Sequence, residues 1–422
     1  MQRIKISDGL NFNYEKMDKF KTNFFEVCFV LDLERENTTK LSLLSGVLTR
    51  ASEHYPSVAK INDRCDYLYD MNVSMRTFNR GERLILSYEC DFLKNEFLPE
   101  GSEDLLCEAV EMFRELVFCP FLVNGVFDKK NLDIEKTELT NSIKALINNK
   151  NAYVREKCTE RLCEGERYSI SPQGNLEDIE KVTPENLYEF YKELLECAVV
   201  EIFFAGNADI DKTAKMFGKV FEKVQRNPKE LCTTLISGKA RENVLELSES
   251  MEVSQGKLAL GFKTGVGVND KDSIAMTVMC EIFGGSPMSK LFMNVREKLS
   301  LCYYCRSIAD SYKGIMFVLS GIQSENKDKS QNAILKELSD ICEGKISDEE
   351  FEAAKLSLIN SYKTLDDNPS SLALWYVSRI LCENYLTPDE VVKQIQNLTK
   401  QQVSLVAKKV KLDTVYFLKS NE

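Results

Sequence analysis

The sequence predicts an α+β fold: two tandem homologous domains, each an antiparallel sheet covered by helices. Three observations carry that prediction. Short buried apolar runs alternate with stretches of helical periodicity. Each half of the chain runs strand, two helices, paired strands, helices, strand. Finally, Ile179-Glu180-Lys181-Val182-Thr183, with the helix and strand that follow it, returns 216 residues later as Ile395-Gln396-Asn397-Leu398-Thr399, a helix and the strand Thr414 to Leu418. A period of half the chain signals duplication of a whole domain, not a solenoid. The polar, weakly patterned run Arg226 to Ser250 divides the chain into an N-terminal domain (1–225), a linker (226–250) and a C-terminal domain (251–422).

The first half opens with the apolar run Asn23 to Leu33, which reads as a well-buried strand. Lys40 to Arg50 is a helix rich in leucine and small residues, and after Tyr55-Pro56 the residues Val58, Ile61, Cys65 and Leu68 recur at helical spacing. Asn72 to Phe78 and Glu82 to Cys90 form a hairpin about Asn79-Arg80-Gly81. Leu105 to Val117 is an amphipathic helix, and Lys129 to about Glu164 reads as one long, highly charged helical stretch. Pro184 opens a helix ending near Cys197, and Val199 to Phe204 is a buried strand. In the second half, Lys257 to Phe262 is a strand, and Asp272 to Phe283 and Met288 to Lys298 are helices. Leu301 to Ser307 pairs with Met316 to Ile322, and long helices follow from Lys327 and Ser347. Ser347 with Glu350, and Thr387 with Glu390, have capping-box spacing.

Composition excludes several function classes. The net charge of −11 argues against a nucleic-acid footprint. The N-terminus, Met1 to Tyr14, is polar and mixed in charge, and no segment reaches the roughly 18 uninterrupted apolar residues of a membrane helix. The expectation is a soluble, cytoplasmic protein that binds no membrane. Its 14 cysteines are then reduced core thiols, not disulfides. The single histidine, His54, lies in the polar turn Ala51-Ser52-Glu53-His54-Tyr55-Pro56, where exposure is the default. A zinc-hydrolase site usually needs two or three imidazoles, so a self-contained metallohydrolase is all but closed by that count.

The most informative stretch runs from Phe283 to Tyr304. It reads as a glycine turn at Gly284-Gly285, an amphipathic helix with Met288, Leu291, Phe292 and Val295 on one stripe, and a strand. Arg296 in the last helical turn and Tyr303 early on the strand can aim a guanidinium fork and a hydroxyl at one point. Taken alone, they read first as a cation complementing the helix dipole and an amphipathic strand tyrosine. Cys302-Tyr303-Tyr304-Cys305 is a C-x-x-C, but on a strand positions three apart face opposite sides of the sheet, which favours ordinary packing over redox chemistry. Gly284-Gly285 is no phosphate loop, because no Lys-Ser/Thr follows.

Two such halves, with Phe-Gly-Gly-x-x-x-Ser-x-Leu-Phe-x-x-Val-Arg-Glu-Lys-x-x-Leu-x-Tyr in the second, resemble the pitrilysin/insulinase family of zinc peptidases. The resemblance covers the chain from about Phe24 to Leu418 and implies the pitrilysin/mitochondrial processing peptidase-like fold. Active chains of that family carry H-x-x-E-H on the first helix, where the histidines and a distant glutamate hold zinc and the first glutamate is the general base. Counting back from Tyr55-Pro56 puts Ser42, Ser45 and Gly46 where the family has His, Glu and His. The distant glutamate falls seven residues after another, so Glu135-Lys136 leads to Ser142. Serine and glycine cannot replace imidazole or carboxylate on zinc. With one histidine in the chain and no base nearby in sequence, Ser42 and Ser45 are not plausible nucleophiles either.

The resemblance implies a way for a chain to lose the metal and keep Arg296 and Tyr303. In paired family members one subunit keeps H-x-x-E-H and its homologous partner keeps the Arg/Tyr pair, so that zinc on one faces the Arg and Tyr of the other. The chain is then expected to bind no cofactor itself, with zinc only on the partner, and to show no peptidase activity alone. Arg296 and Tyr303 would hydrogen-bond the substrate carbonyl of a peptide or unfolded polypeptide, bound by addition to a sheet edge. A second reading is a scaffold or peptide-binding protein that kept the fold and lost the chemistry. A third, a stand-alone redox protein using Cys302 and Cys305, needs a depressed thiol pKa.

Overall fold

The computed structural model describes residues 1–420. Along the chain, β1 (Gln2–Ser7), β2 (Leu10–Lys16) and β3 (Thr22–Asp32) precede α1 (Arg35–Arg50), α2 (Val58–Tyr67), β4 (Asn72–Arg80), β5 (Arg83–Leu93) and α3 (Leu105–Phe118). A short hairpin, β6 (Leu122–Val123) and β7 (Val126–Phe127), leads into α4 (Lys129–Ala145), α5 (Lys150–Leu162), α6 (Leu176–Ile179), α7 (Pro184–Cys197), β8 (Val199–Gly206) and α8 (Ile210–Phe221). Next come β9 (Leu245–Met251), β10 (Gly256–Lys263), α9 (Ser273–Cys280), β11 (Cys302–Asp310) and β12 (Ile315–Ile322). The chain ends with α10 (Lys327–Cys342), α11 (Asp348–Lys363), α12 (Pro369–Ile380), α13 (Pro388–Gln396), α14 (Lys400–Ala407) and β13 (Lys411–Ser420). No helix among the described residues is long and apolar enough to cross a membrane.

These elements form two compact units, neither contiguous in sequence. The first comprises Met1–Lys144, Ile170–Thr233 and Asn368–Val377; the second comprises Ala145–Ser169, Thr234–Asp367 and Ser378–Glu422. The long helical stretch expected from Lys129 to Glu164 is therefore two helices. A single 3-10 turn (Leu146–Asn148) interrupts it, and the Asn149 side chain then caps α5 by accepting from the Ala152 N–H at 3.1 Å.

The first unit is a six-stranded sheet in the order β1-β2-β8-β3-β5-β4. Its centre is β3, whose near-continuous apolar run is buried on both faces, as a central strand requires. It pairs antiparallel with β5 from Thr22↔Leu93 to Asp32↔Arg83 and with β8 on the other side. On one face Phe25 meets Phe217 of α8 at 5.1 Å between ring centroids, and Tyr88 meets Phe113 of α3 at the same distance. These are edge-on contacts between fully buried rings, the arrangement aromatic quadrupoles favour. On the other face, Tyr376 of α12 stacks on Phe203 at 5.5 Å. The β4–β5 hairpin closes on Gly81, at φ +52°, as the turn signal requires.

The second unit is a five-stranded sheet in the order β11-β12-β10-β13-β9. Matched by place in the repeat, β9, β10, β11, β12 and β13 stand for β2, β3, β4, β5 and β8. The strand order is then identical, and the one parallel pair falls at the same position, β2/β8 in one sheet and β9/β13 in the other. Thr183 and Thr399, the last residues of the sequence repeat, both close capping boxes at the N-termini of α7 and α14. The strand β9 lies within the polar run read from sequence as linker. One face of this sheet is covered by α5, whose Val154, Cys158 and Leu162 pack with Ala259, Phe317, Leu319, Tyr416 and Leu418. Gly261 permits the approach: a Cβ there would lie 3.1 Å from the Cys158 sulfur.

Candidate functional site

The positions where the resemblance places zinc ligands lie on α1. Its apolar residues, including Leu41, Leu44, Val47 and Leu48, are buried, and Ser42, Ser45, Gly46 and Thr49 form a separate small-residue face at helical spacing. That face is committed to internal contacts. Ser42 Oγ lies 3.3 Å from Thr77 Oγ1 of β4, and Ser45 Oγ donates to the Ser42 carbonyl at 2.8 Å. At Gly46 a Cβ would lie 1.9 Å from Oε2 of Glu135, so the α4 carboxylate fills the space a side chain would take.

Glu135 is held there by Arg50, whose Nε donates to its Oε1 at 2.6 Å; Arg50 also reaches Glu138 at 3.1 Å. Burial raises the Glu135 carboxyl above the usual range, against the opposing pull of Arg50. Ser142, two turns further along α4, is exposed. Two hydroxyls and a glycine, closed off by an ion pair, do not fit zinc, whose sites are built from thiolate, imidazole and carboxylate. Among the described residues no group of three or more His, Cys, Asp or Glu is placed to hold a metal. The Arg50–Glu135 pair was not anticipated from sequence; the only signal was a glycine opposite a glutamate on a different helix.

His54 is two-thirds exposed, and its Nδ1 lies 3.0 Å from the buried Glu115 carboxylate. Burial raises the Glu115 pKa, but hydrogen bonds from the His54 N–H, the Ser52 hydroxyl and the His54 ring outweigh it and hold the group ionised. The histidine anchors a loop to the end of α3.

Arg296 and Tyr303 lie near each other, on a less regular backbone than the sequence suggests. The segment from Leu291 to Lys298 is a π-helix, with Leu291 and Val295 fully buried. Met288, expected on the buried stripe, precedes this helix and is half exposed. Gly284 lies at φ −161°, so it is no left-handed turn; it is required because a Cβ there would lie 2.6 Å from the Ser307 backbone N. Ser300, at φ +51°, turns the chain into β11.

At the start of β11 the pairing shifts. Cys302 opposes Ile322 and Tyr304 opposes Gly321, which leaves Tyr303 as the extra residue of a β-bulge. The bulge throws the Tyr303 side chain outward, 71% exposed, at the start of an edge strand. The Arg296 guanidinium carbon lies 4.4 Å from the Phe292 ring centroid and 6.0 Å from that of Tyr303, so one aromatic face supports it and the other borders it. Its Nε is 3.4 Å from Glu297. A planar cation and an exposed phenol ring thus lie near each other at the open edge of a sheet.

The bulge also corrects the reading of the C-x-x-C. Because Cys302 and Cys305 oppose Ile322 and Ser320, two residues apart on β12, their side chains lie on the same face, not on opposite faces.

Comparison with known proteins agrees with this architecture. Residues 181–358 match the family described as "Peptidase M16 inactive domain". A Bacillus subtilis protein named "Probable inactive metalloprotease YmfF" is 28% identical over 98% of this chain and 96% of its own. The crystal structure of a conserved protein from Enterococcus faecalis superposes with a TM-score of 0.92 at 27% identity, covering 100% of this chain and 98% of that one. A peptidase M16 inactive domain from Pseudomonas fluorescens shares the fold, with a TM-score of 0.79 at 15% identity over 100% and 98% of the two chains. The chain is thus similar to the M16 inactive domain over residues 181–358, is a homologue of a probable inactive metalloprotease over nearly its whole length, and shares the M16-like peptidase fold.

Proposed function

We propose that this chain is the non-catalytic, substrate-binding subunit of a two-subunit M16 metallopeptidase in the cytoplasm. Its partner is a homologous chain with H-x-x-E-H, which supplies the zinc, the water and the general base. This chain supplies Arg296 and Tyr303, whose N–H and O–H groups donate to the carbonyl oxygen of a bound peptide as negative charge develops there. The observation that carries the reading is the asymmetry between the two half-sites. The α1 positions are closed by the Arg50–Glu135 ion pair, while Tyr303 stands on an exposed bulge beside a ring-supported arginine. A site kept only for packing has no need to lift a tyrosine out of the strand.

The test is hydrolysis of an unstructured peptide by this chain alone, by the H-x-x-E-H chain alone and by the mixture, with zinc measured in each. Activity in the mixture only is the expected result. Arg296→Ala and Tyr303→Phe should each lower its turnover by about 10²–10³-fold, the loss typical of a removed oxyanion donor, and leave co-purification intact. Full activity in both variants would overturn the donor role. A silent mixture with a folded, zinc-loaded partner would favour a peptide-binding scaffold.

A further inference from the structure

Cys302 and Cys305 flank the bulge that presents Tyr303. Had β11 been regular, three residues would separate the two thiols by about 10 Å along the strand and place them on opposite faces. The bulge removes one residue of that separation. Their β12 partners are Ile322 and Ser320, so the bulge shortens the axial separation to that of two strand residues, about 6.6–6.8 Å, at the upper limit of the Cα separations a disulfide spans. The two thiols interact with each other and with Ser320, whose hydroxyl donates to the Tyr304 carbonyl at 2.9 Å. Cys305 is buried, whereas Cys302 is partly accessible at the strand's open end.

The electrostatic setting separates Cys302 from the core thiols. Burial pushes Cys280 up to about 11 and Cys163 up to about 12. Cys302 moves the other way. The hydrogen bond from Cys305 leads, and the Ser320 hydroxyl and the Arg296 charge add to it, outweighing partial burial. A partly accessible thiol whose pKa lies below that of an ordinary cysteine, with a second thiol against it, is the arrangement of an attacking and a resolving cysteine.

We propose that Cys302 and Cys305 form a reversible oxidation site, closing to a disulfide across the bulge that carries Tyr303. The oxidant is a hydroperoxide. The Cys302 thiolate attacks its terminal oxygen, the O–O bond breaks, and the alkoxide or hydroxide leaves with a proton, giving a sulfenic acid. The Cys305 sulfur then attacks the Cys302 sulfur, the S–O bond breaks, and water leaves with the Cys305 proton. Two thiols lose two electrons and the peroxide gains them; a dithiol reverses the change. The bond ties together the residues on both sides of Tyr303 and fixes the bulge.

The experiment uses the isolated, reduced full-length chain and makes no use of a peptidase partner, so its result is independent of the proposed function. The chain is treated with one equivalent of hydrogen peroxide, remaining thiols are alkylated, and peptides are mapped by mass spectrometry without reductant. The expected product is a 302–305 peptide two hydrogens lighter and unalkylated at both cysteines, while the exposed Cys107 and Cys232 stay alkylated. Dithiothreitol should restore both thiols. In the Cys305→Ser variant, oxidation should stop at Cys302 as a sulfenic acid trapped by dimedone. Oxidation at Cys107 or Cys232 with Cys302 and Cys305 fully alkylated would overturn the proposal, whether or not the variant folds.

Discussion

A single carboxylate bridges two buried ammonium groups in the second unit. Glu166 lies 2.7 Å from Lys263 and 2.7 Å from Lys313, which are only 4% and 1% exposed. Burial raises the Glu166 pKa, but the hydrogen bonds and charges of the two lysines outweigh it and hold the carboxyl below its usual range. Removing the charge leaves two desolvated cations without it, so Glu166→Gln should destabilise the chain by about 3 kcal/mol, the lower end for a broken buried pair because Glu166 is itself 17% exposed. The pH dependence has a definite sign. A carboxyl depressed by folding stabilises above the unfolded value of about 4.3 and loses that contribution as pH falls through the lower folded value. The gap in denaturant midpoint between wild type and Glu166→Gln should therefore be full at pH 7 and shrink progressively below about pH 4. A gap that stayed constant into acid would show that the carboxylate charge is not what the lysines require.

Helix starts carry predictions of their own. Thr183 and Thr399 each accept from the backbone N–H three residues on, while Asn186 and Gln402 reach back to the Thr backbone. Replacing either Thr by Ala should cost about 1 kcal/mol, read as a shifted urea midpoint with unchanged slope. Gly284→Ala should cost about 1–3 kcal/mol, because its Cβ would meet the Ser307 backbone N at 2.6 Å and Leu291 at 2.8 Å, and the β11 backbone has no flexible tip to yield. If Gly284→Ala were neutral, the close helix–strand approach would not be what the motif's glycine serves. The capping boxes Ser347/Glu350 and Thr387/Glu390 were legible in the sequence because their whole chemistry lies within four residues. The central strand β3 was legible for a similar reason: its apolar run needs no partner to be recognised. The bulge at Tyr303 was not, because it exists only in the register of β11 against β12, and Cys302-Tyr303-Tyr304-Cys305 reads the same in a regular strand. Met288 was misplaced for a related reason: its apparent stripe assumed an α-helix continuous with the segment that is in fact a π-helix beginning at Leu291. Arg296 and Tyr303 lie near each other despite both differences, since the chain turn at Ser300 brings the helix end to the strand start whatever the pitch.

At the scale of the whole molecule, duplication was legible as a sequence repeat, but the exchange of segments was not. The pattern of α5 shows an apolar stripe without showing which sheet covers it, and the charged run from Lys129 to Glu164 hid the break at residues 146–149. This gives a prediction about cutting the chain at residue 225, the boundary the sequence suggests. The fragment 226–422 would keep the second sheet and lose α5, stripping cover from Ala259, Phe317, Leu319, Tyr416 and Leu418. Val154 and Leu162 each contribute about 1.5–3 kcal/mol by burial, a large share of the stability of an ordinary domain. The fragment 1–225 would carry α5 with its apolar stripe exposed and would lack Tyr376, which stacks on Phe203 in the first unit. Each fragment alone should bind a hydrophobic dye and melt without a cooperative transition. An equimolar mixture should lose the dye and recover one, because α5 and Tyr376 each regain the sheet they cover. Adding only a 145–169 peptide to 226–422 should restore part of the transition, and a peptide with Val154→Asp and Leu162→Asp should restore none. A fragment 226–422 that folded alone with the stability of the intact chain would mean that α5 merely rests on the sheet and that the contiguous halves are the true folding units.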